Sequence, residues 1–191
     1  MKKLLKWGGI ILAVILVISA ARVPHVIDKR KTAEQVVKIH ATKLTLDDVM
    51  GKNLPPDPGE AANATIEGVD ANQNGIRDDV ELAIFKLYPN SAKTRAAALQ
   101  YAMALQIGLT QVSNSDTLVA MAQETSRAYR CLFDLGGEIR DVTQRQDLFE
   151  KLILNTSARK NKLEEVYDKY MASVSFPNSN YCDIDSASLP N

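Results

Sequence analysis

Apolar residues along this chain recur three and four positions apart and almost nowhere in strict alternation. Val80, Ala83, Ile84 and Leu87 fit one face of a helix. Tyr88, Pro89 and Asn90 stop it, because the residue before a proline avoids helical backbone. Ser91 is a good N-cap for a helix from 92 to about 112. Ala96, Ala97, Ala98, Leu99, Tyr101, Ala102, Met103, Leu105, Ile107 and Leu109 make that helix apolar on most sides, which predicts the central, most buried element. Residues 113–116 form a turn and cap. A helix follows over about 116–135, ended by Gly136 and Gly137. Another covers roughly 138–154, with Val142, Leu148, Phe149 and Leu152 inward. Thr156 or Ser157 caps a last helix to about 173, whose stripe is Leu163, Val166, Tyr167, Tyr170 and Met171. No run of alternating β-branched residues survives inspection. The expected fold class is all-α, a small bundle of about four or five helices.

Upstream the pattern loosens. Residues 32–44 predict a helix with only a loose stripe of Val36, Val37, Ile39 and Leu44. Thr45 reads as the cap of a short piece, with Asp48 in its first turn and Gly51 at its end. Residues 52–68 hold Pro55, Pro56, Pro58 and Gly59 and read as a linker or extended loop. The first 21 residues read as a targeting or anchoring segment. Lys2, Lys3 and Lys6 precede fifteen residues without charge, 7–21. Fifteen helical residues rise about 22 Å, short of a hydrocarbon core of about 30 Å. With Leu4 and Leu5 added and Lys6 reaching the headgroups, the span is about 27 Å. That is marginal for a membrane helix and generous for a signal peptide. Ser19, Ala20 and Ala21 offer a cleavage site, while Arg22 and Pro24 weigh against its use. The expectation is a retained anchor at residues 4–21, with cleavage and secretion as the alternative. The apolar run is not followed by a cysteine, which excludes a lipoprotein anchor. The chain thus divides into a signal or anchor segment (1–31), a helical stalk with its Pro-rich linker (32–68), and a body (69–191).

Charge adds a constraint. The 191 residues carry 23 Lys and Arg against 23 Asp and Glu, a net charge of zero. The distribution is uneven. Residues 1–31 contain Lys2, Lys3, Lys6, Arg22, Lys29, Arg30 and Lys31 against Asp28 alone, a net of +6, so the rest sums to −6. An acidic body argues against a nucleic-acid partner, which requires a basic face to displace counterions. Counting Lys and Arg on the two sides of the anchor would place the body in the cytoplasm. Two features of the body favour export instead.

The first is the segment 70–81, D-A-N-Q-N-G-I-R-D-D-V-E. It matches D-x-[DN]-x-[DN]-G-x5-E at every specified position. Calcium takes six to eight oxygens. Asp70, Asn72 and Asn74 would present three side-chain oxygens, and Ile76 a main-chain carbonyl. Asp78 would bind directly or through water, and Glu81 would close the sphere with both carboxylate oxygens. Gly75 supplies the left-handed bend. A simple turn capping the next helix needs one Asx residue, not several ligands in register. The loop resembles an EF-hand loop, and more closely thrombospondin type 3 and other single extracellular calcium loops. It departs from the EF-hand in having its apolar residue at Ile76, Arg77 one place later, and no second loop. The whole chain also resembles bacterial membrane-anchored proteins that share this loop. These resemblances imply Ca2+ binding and a location, and no particular activity. With two amides among the ligands, the expected dissociation constant is on the order of 10⁻⁴–10⁻³ M, suited to extracellular calcium.

The second feature is a pair of cysteines, Cys131 and Cys182, with no CxxC and no nearby His. In an oxidising compartment they would close a loop of 51 residues and stabilise the fold by about 4 kcal/mol. The other reading is two unrelated thiols. The catalytic inventory is thin. His25 and His40 are the only histidines, and neither sits in a catalytic or metal-ligand pattern. Ser157 and Lys160 match S-x-x-K without its companion motifs, and a capping Ser explains them. Residues 159–169 read as a solvated helix face. The function expected is a binding or structural module of the cell envelope, anchored, exported and stiffened by calcium, with an unidentified envelope protein as partner. A calcium-responsive sensor, and an envelope enzyme using calcium structurally, are the alternatives.

Overall fold

The computed structural model describes residues 2–170, 172–176 and 181–190, and for residues 2–18, 20 and 21 it describes the backbone alone. Among these the secondary structure is helical throughout, without strands. The α-helices are α1 (Lys2–Ala41), α2 (Leu46–Met50), α3 (Asp78–Leu87), α4 (Ala92–Thr110), α5 (Ser115–Phe133), α6 (Ile139–Ile153) and α7 (Ser157–Tyr170). Short 3-10 turns cover Gly59–Asn63 and Ser186–Ser188. The all-α class holds. The expected count of four or five helices is too low: α3–α7 form the body, and α1 and the five-residue α2 add to it. A helix as short as α2 persists because both ends are satisfied. Thr45 and Asp48 make a reciprocal capping box, and Gly51 ends the helix in the left-handed region.

Helix α4 is the axis of the molecule. Every residue from Arg95 to Leu109 is buried, because α2, α3, α5, α6, α7 and the Ser186–Ser188 turn all pack against it. Its many alanines let several neighbours approach closely, and its start is capped by Ser91. Phe149, Val142 and Ile153 of α6 and Val166 of α7 complete the core. Tyr167, expected inside, is 40% exposed, and Met171 lies outside the described residues.

The helix expected over 32–44 is the end of α1, which runs unbroken with Pro24 inside it. The expected anchor at residues 4–21 falls almost wholly on side chains outside the described set. Among the described residues no helix is long and apolar enough to cross a membrane. Residues 22–31 are exposed on every side. From Thr32 onward α1 packs along α5: Asn114 Nδ2 donates to Thr32 Oγ1 (2.9 Å), and Gln35 Nε2 donates to Gln111 Oε1 (2.8 Å). Ile39 is fully buried, whereas Val37 of the same loose stripe points outward.

A charged cluster closes the junction of α1, α4, α5 and the C-terminal tail. Glu124 of α5 receives Lys43 Nζ at 2.6 Å and Arg127, with His40 Nδ1 at 2.8 Å. Asp183 of the tail, its side chain 1% exposed, accepts from Arg127 Nη2 (2.9 Å) and from the Leu44 amide (3.2 Å). Gln100 of α4 grips the tail main chain from both sides, donating to the Tyr181 carbonyl and accepting from the Asp183 amide. Between those residues, Cys182 is disulfide-bonded to Cys131 of α5, Cα–Cα 5.0 Å. The tail is thereby a strap across the bundle, ending where the Lys93 amide donates to the Pro190 carbonyl.

Burial opposes ionisation of Glu124, but hydrogen bonds from His40 and Lys43 and the charges of Lys43 and Arg127 outweigh it. They hold its carboxyl below the usual range. A depressed folded pKa contributes stability that is present above the unfolded value of about 4.3 and is lost as pH falls through the folded one. Glu124→Gln is therefore destabilising at neutral pH. The gap between variant and parent in urea midpoint should shrink steadily below about pH 4. A gap that does not change between neutral and acid pH would contradict this assignment.

A candidate calcium loop

The loop over residues 70–81 is built from its own side chains. Asp70 accepts the Asn74 amide on Oδ1 (3.1 Å) and the Gly75 amide on Oδ2 (3.0 Å). Asn72 Oδ1 accepts the Asn74 amide at 3.3 Å, and Asn74 Oδ1 accepts the Ile76 amide at 2.9 Å. Each oxygen thus folds the backbone inward, which is why Asx residues on alternate positions curl a chain. Gly75 takes φ +85°, a region where a Cβ is strained. Asp78 starts α3 and turns its carboxylate back onto the Ala71 amide (3.0 and 3.2 Å), while its own amide donates to the Val69 carbonyl. The loop's mouth is closed by that exchange.

Glu81 comes from the first turn of α3 and is fully buried. Its Oε2 accepts Asn72 Nδ2 and Asn74 Nδ2, both at 3.0 Å. Its Oε1 is buried without a hydrogen-bond partner, the one such side-chain atom among the described residues. Burial raises the Glu81 carboxyl; the two Asn hydrogen bonds oppose this, and the charges of Asp48 and Asp78 add to it. Burial likewise raises Asp70, against the loop amides and helped by Asp78. Negative charge is held here in excess, next to an unused oxygen lone pair. That is the electrostatic condition a cation relieves.

All six expected ligand positions lie in this one loop, but they do not converge equally. Asp70, Asn72, Asn74 and Glu81 are linked to one another directly or through the loop amides. Asn72 and Asn74 keep a second lone pair on each Oδ1 beyond the amide already held. Asp78 is committed to the loop backbone. Ile76 anchors the loop by a buried side chain, 1% exposed. Among the described residues no group of three or more His, Cys, Asp or Glu side chains is disposed to hold a metal. Around Glu81 the two Asn side chains turn their Nδ2 groups inward, so they would offer oxygen to a cation there only with both amides turned over. With that rotation the residue types fit a hard, oxygen-seeking cation of modest affinity, not a carboxylate-rich centre.

Two arginines hold this loop and the linker before it to the body, a role that their sequence positions did not reveal. Arg77 is 1% exposed. It makes a bidentate pair with Asp79 (2.6 and 2.8 Å) and donates to the Leu152 and Ile153 carbonyls at the end of α6. Where a paired EF-hand would place an apolar residue against a second loop, this chain docks a guanidinium on a helix C-terminus. Gly68 makes room for it: a Cβ there would meet Arg77 Cδ at 2.2 Å, and its φ is +69°. Arg159 is fully buried, which corrects its expected place on a solvated face. It donates to the carbonyls of Ala62, Thr65 and Ile66 and to the side chains of Asn63 and Asn155. Burial, and then the Arg77 charge, lower its pKa. Its only signal in the sequence was a position on the inward side of α7, one turn from Leu163.

Comparison of the chain with protein-family models, with curated proteins and with solved structures gives no match.

Arg159→Met tests the buried assignment. A solvated arginine would cost no more than about 0.5 kcal/mol. Loss of the donors to three main-chain carbonyls should cost on the order of 3 kcal/mol, read as a shift in urea midpoint at unchanged m-value.

Proposed function

We propose that this protein is an exported, membrane-anchored helical module of the cell envelope whose loop over residues 70–81 binds one Ca2+ as a structural ion. The observation that carries the calcium reading is Glu81 Oε1, buried and unpartnered, on a carboxylate held by Asn72 and Asn74. Asp70, Asn72, Asn74 and Glu81 would hold the ion by side-chain oxygens, Ile76 by its carbonyl, and Asp78 would stay in the outer sphere as the loop's clasp. The ion would neutralise the loop's surplus charge and supply no chemistry. The disulfide supports the export reading, because such bonds persist in oxidising compartments. Residues 4–21 would be the anchor. The partner would be an envelope protein met by the bundle. No nucleic-acid role is proposed, because the body is acidic.

The role assigned is stabilisation by mass action: an ion that binds only the folded chain adds about 1.4 kcal/mol at ten times its dissociation constant. For a chain of this size that raises the melting temperature by about 3–6 °C. Calorimetric titration should give a dissociation constant on the order of 10⁻⁴–10⁻³ M. Glu81→Gln keeps an acceptor for the two Asn amides and removes the charge. In chelator it should melt no lower than the parent, and in calcium it should lack the parent's gain. A parent with no calcium-dependent shift at millimolar concentration would end the calcium reading.

A further inference from the structure

Residues 22–31 of α1 are exposed at every position, with Asp28 and Lys31 bordering a cleft shared with Gln111 and Asn114, and their side chains are sorted. At about 100° per residue, Val23, Val26, Ile27 and Arg30 share an arc of roughly 100°. All four are exposed, Val23 by 54% and Val26 by 62%. Arg22 and Lys29 flank the arc on one side and Lys31 on the other. The single acid of the segment, Asp28, lies on the opposite side. That is also the side on which Thr32, Gln35 and Ile39 meet α5 further along the helix. Arg30 is paired only with Glu34, at 2.9 Å and largely in water, a contact worth little. A helical segment exposed along its length with a bare aliphatic stripe lacks the burial that normally holds a helix together.

We propose that this face of α1 docks on an anionic lipid surface, with Val23, Val26 and Ile27 at the level of the headgroups and Arg22, Lys29, Arg30 and Lys31 on lipid phosphates. Charge complementarity selects the occupant. Within residues 22–31 the arc and its flanks carry four cations and no acid, the first acid on that face being Glu34, one turn further on and paired with Arg30. Residues 22–31 rise about 15 Å, and the long basic side chains reach back toward the phosphates. A second copy of the chain would set Arg30 against its own equivalent, a like-charge contact within an apolar seam. This inference rests on the anchoring reading of residues 4–21 and adds the class of lipid.

The test is partition of the full chain between buffer and vesicles, of phosphatidylcholine alone or mixed with phosphatidylglycerol. Trp7 is the only tryptophan, so its emission reports burial of the apolar segment separately. The parent should favour the anionic vesicles by on the order of 1,000-fold at low salt, from about 1 kcal/mol for each of the four basic residues. The triple variant Lys29→Gln, Arg30→Gln, Lys31→Gln should retain less than about a tenth of that preference, with the Trp7 shift in neutral vesicles unchanged. Equal partition into both lipids, or a preference that survives the triple variant, overturns the proposal. So does a detergent-stable dimer that Val23→Asp with Ile27→Asp dissolves while lipid preference is kept. If Trp7 stays in water with both lipids, the anchor reading fails. An anionic preference that the triple variant abolishes would still support headgroup docking.

Discussion

Main-chain carbonyls at the helix ends and in the long irregular stretch between α2 and α3 need donors that no helix or sheet supplies, and buried guanidiniums do much of that work. Arg95 donates to the carbonyls of Val49, Tyr88 and Pro89 and stacks over Phe85. Arg159 serves the carbonyls around the Gly59–Asn63 turn, and Arg77 those at the end of α6. A guanidinium has five donors in a rigid plane and is less strongly hydrated than an ammonium, so it can bridge several carbonyls inside a protein. Only Arg77 of the three has a carboxylate in contact. The other two give their hydrogen bonds to carbonyls with no carboxylate in contact, so desolvation prevails and lowers their pKa. An unsatisfied carbonyl at any of these places would cost about as much as the hydrogen bond it lost.

This arrangement fixes the candidate loop from outside while its own Asx residues fix it from inside. The first turn of α3 supplies Glu81, the end of α6 receives Arg77, and Asn72 reaches Asn53 just beyond α2. The loop's curl is therefore set by its own hydrogen bonds and by its ties to the body. For the ion proposed above, such a frame suits a structural role better than a switch, since switching requires a second arrangement of similar energy. At the other side of the bundle the disulfide and the Glu124–Asp183 cluster hold the tail across α4 and α5. Loop and tail are both segments with little apolar side-chain burial of their own, and each is held by polar or covalent ties to helices that do have it.

Most helices were legible because their signals are local. Ser91, Asn90 before it, and the alanine-rich run that follows mark α4 without reference to anything distant. The capping box of Thr45 and Asp48 marks α2 in the same way. The spacing of Asp70, Asn72, Asn74, Gly75 and Glu81 is also local, and so the candidate site could be read position by position. The direction of α1 was not legible. Its stripe of Val36, Val37, Ile39 and Leu44 is too sparse to say which face meets the body, and Val37 proved to face out. The burial of Arg159 was hidden for a different reason. A lone arginine among Lys160, Lys162, Glu164 and Glu165 has the composition of a wet surface.

The sequence by itself therefore determined helix positions, helix ends, the loop's curl and the pairing options of two cysteines, all set by short-range sterics and hydrogen bonding. Only the tertiary structure decided which polar groups went inside. Arg77, Arg95 and Arg159 are buried because distant carbonyls needed donors, and Glu81 Oε1 is buried without one behind the loop's Asn72 and Asn74. Such outcomes depend on segments tens of residues apart meeting in space, and no local pattern encodes that meeting.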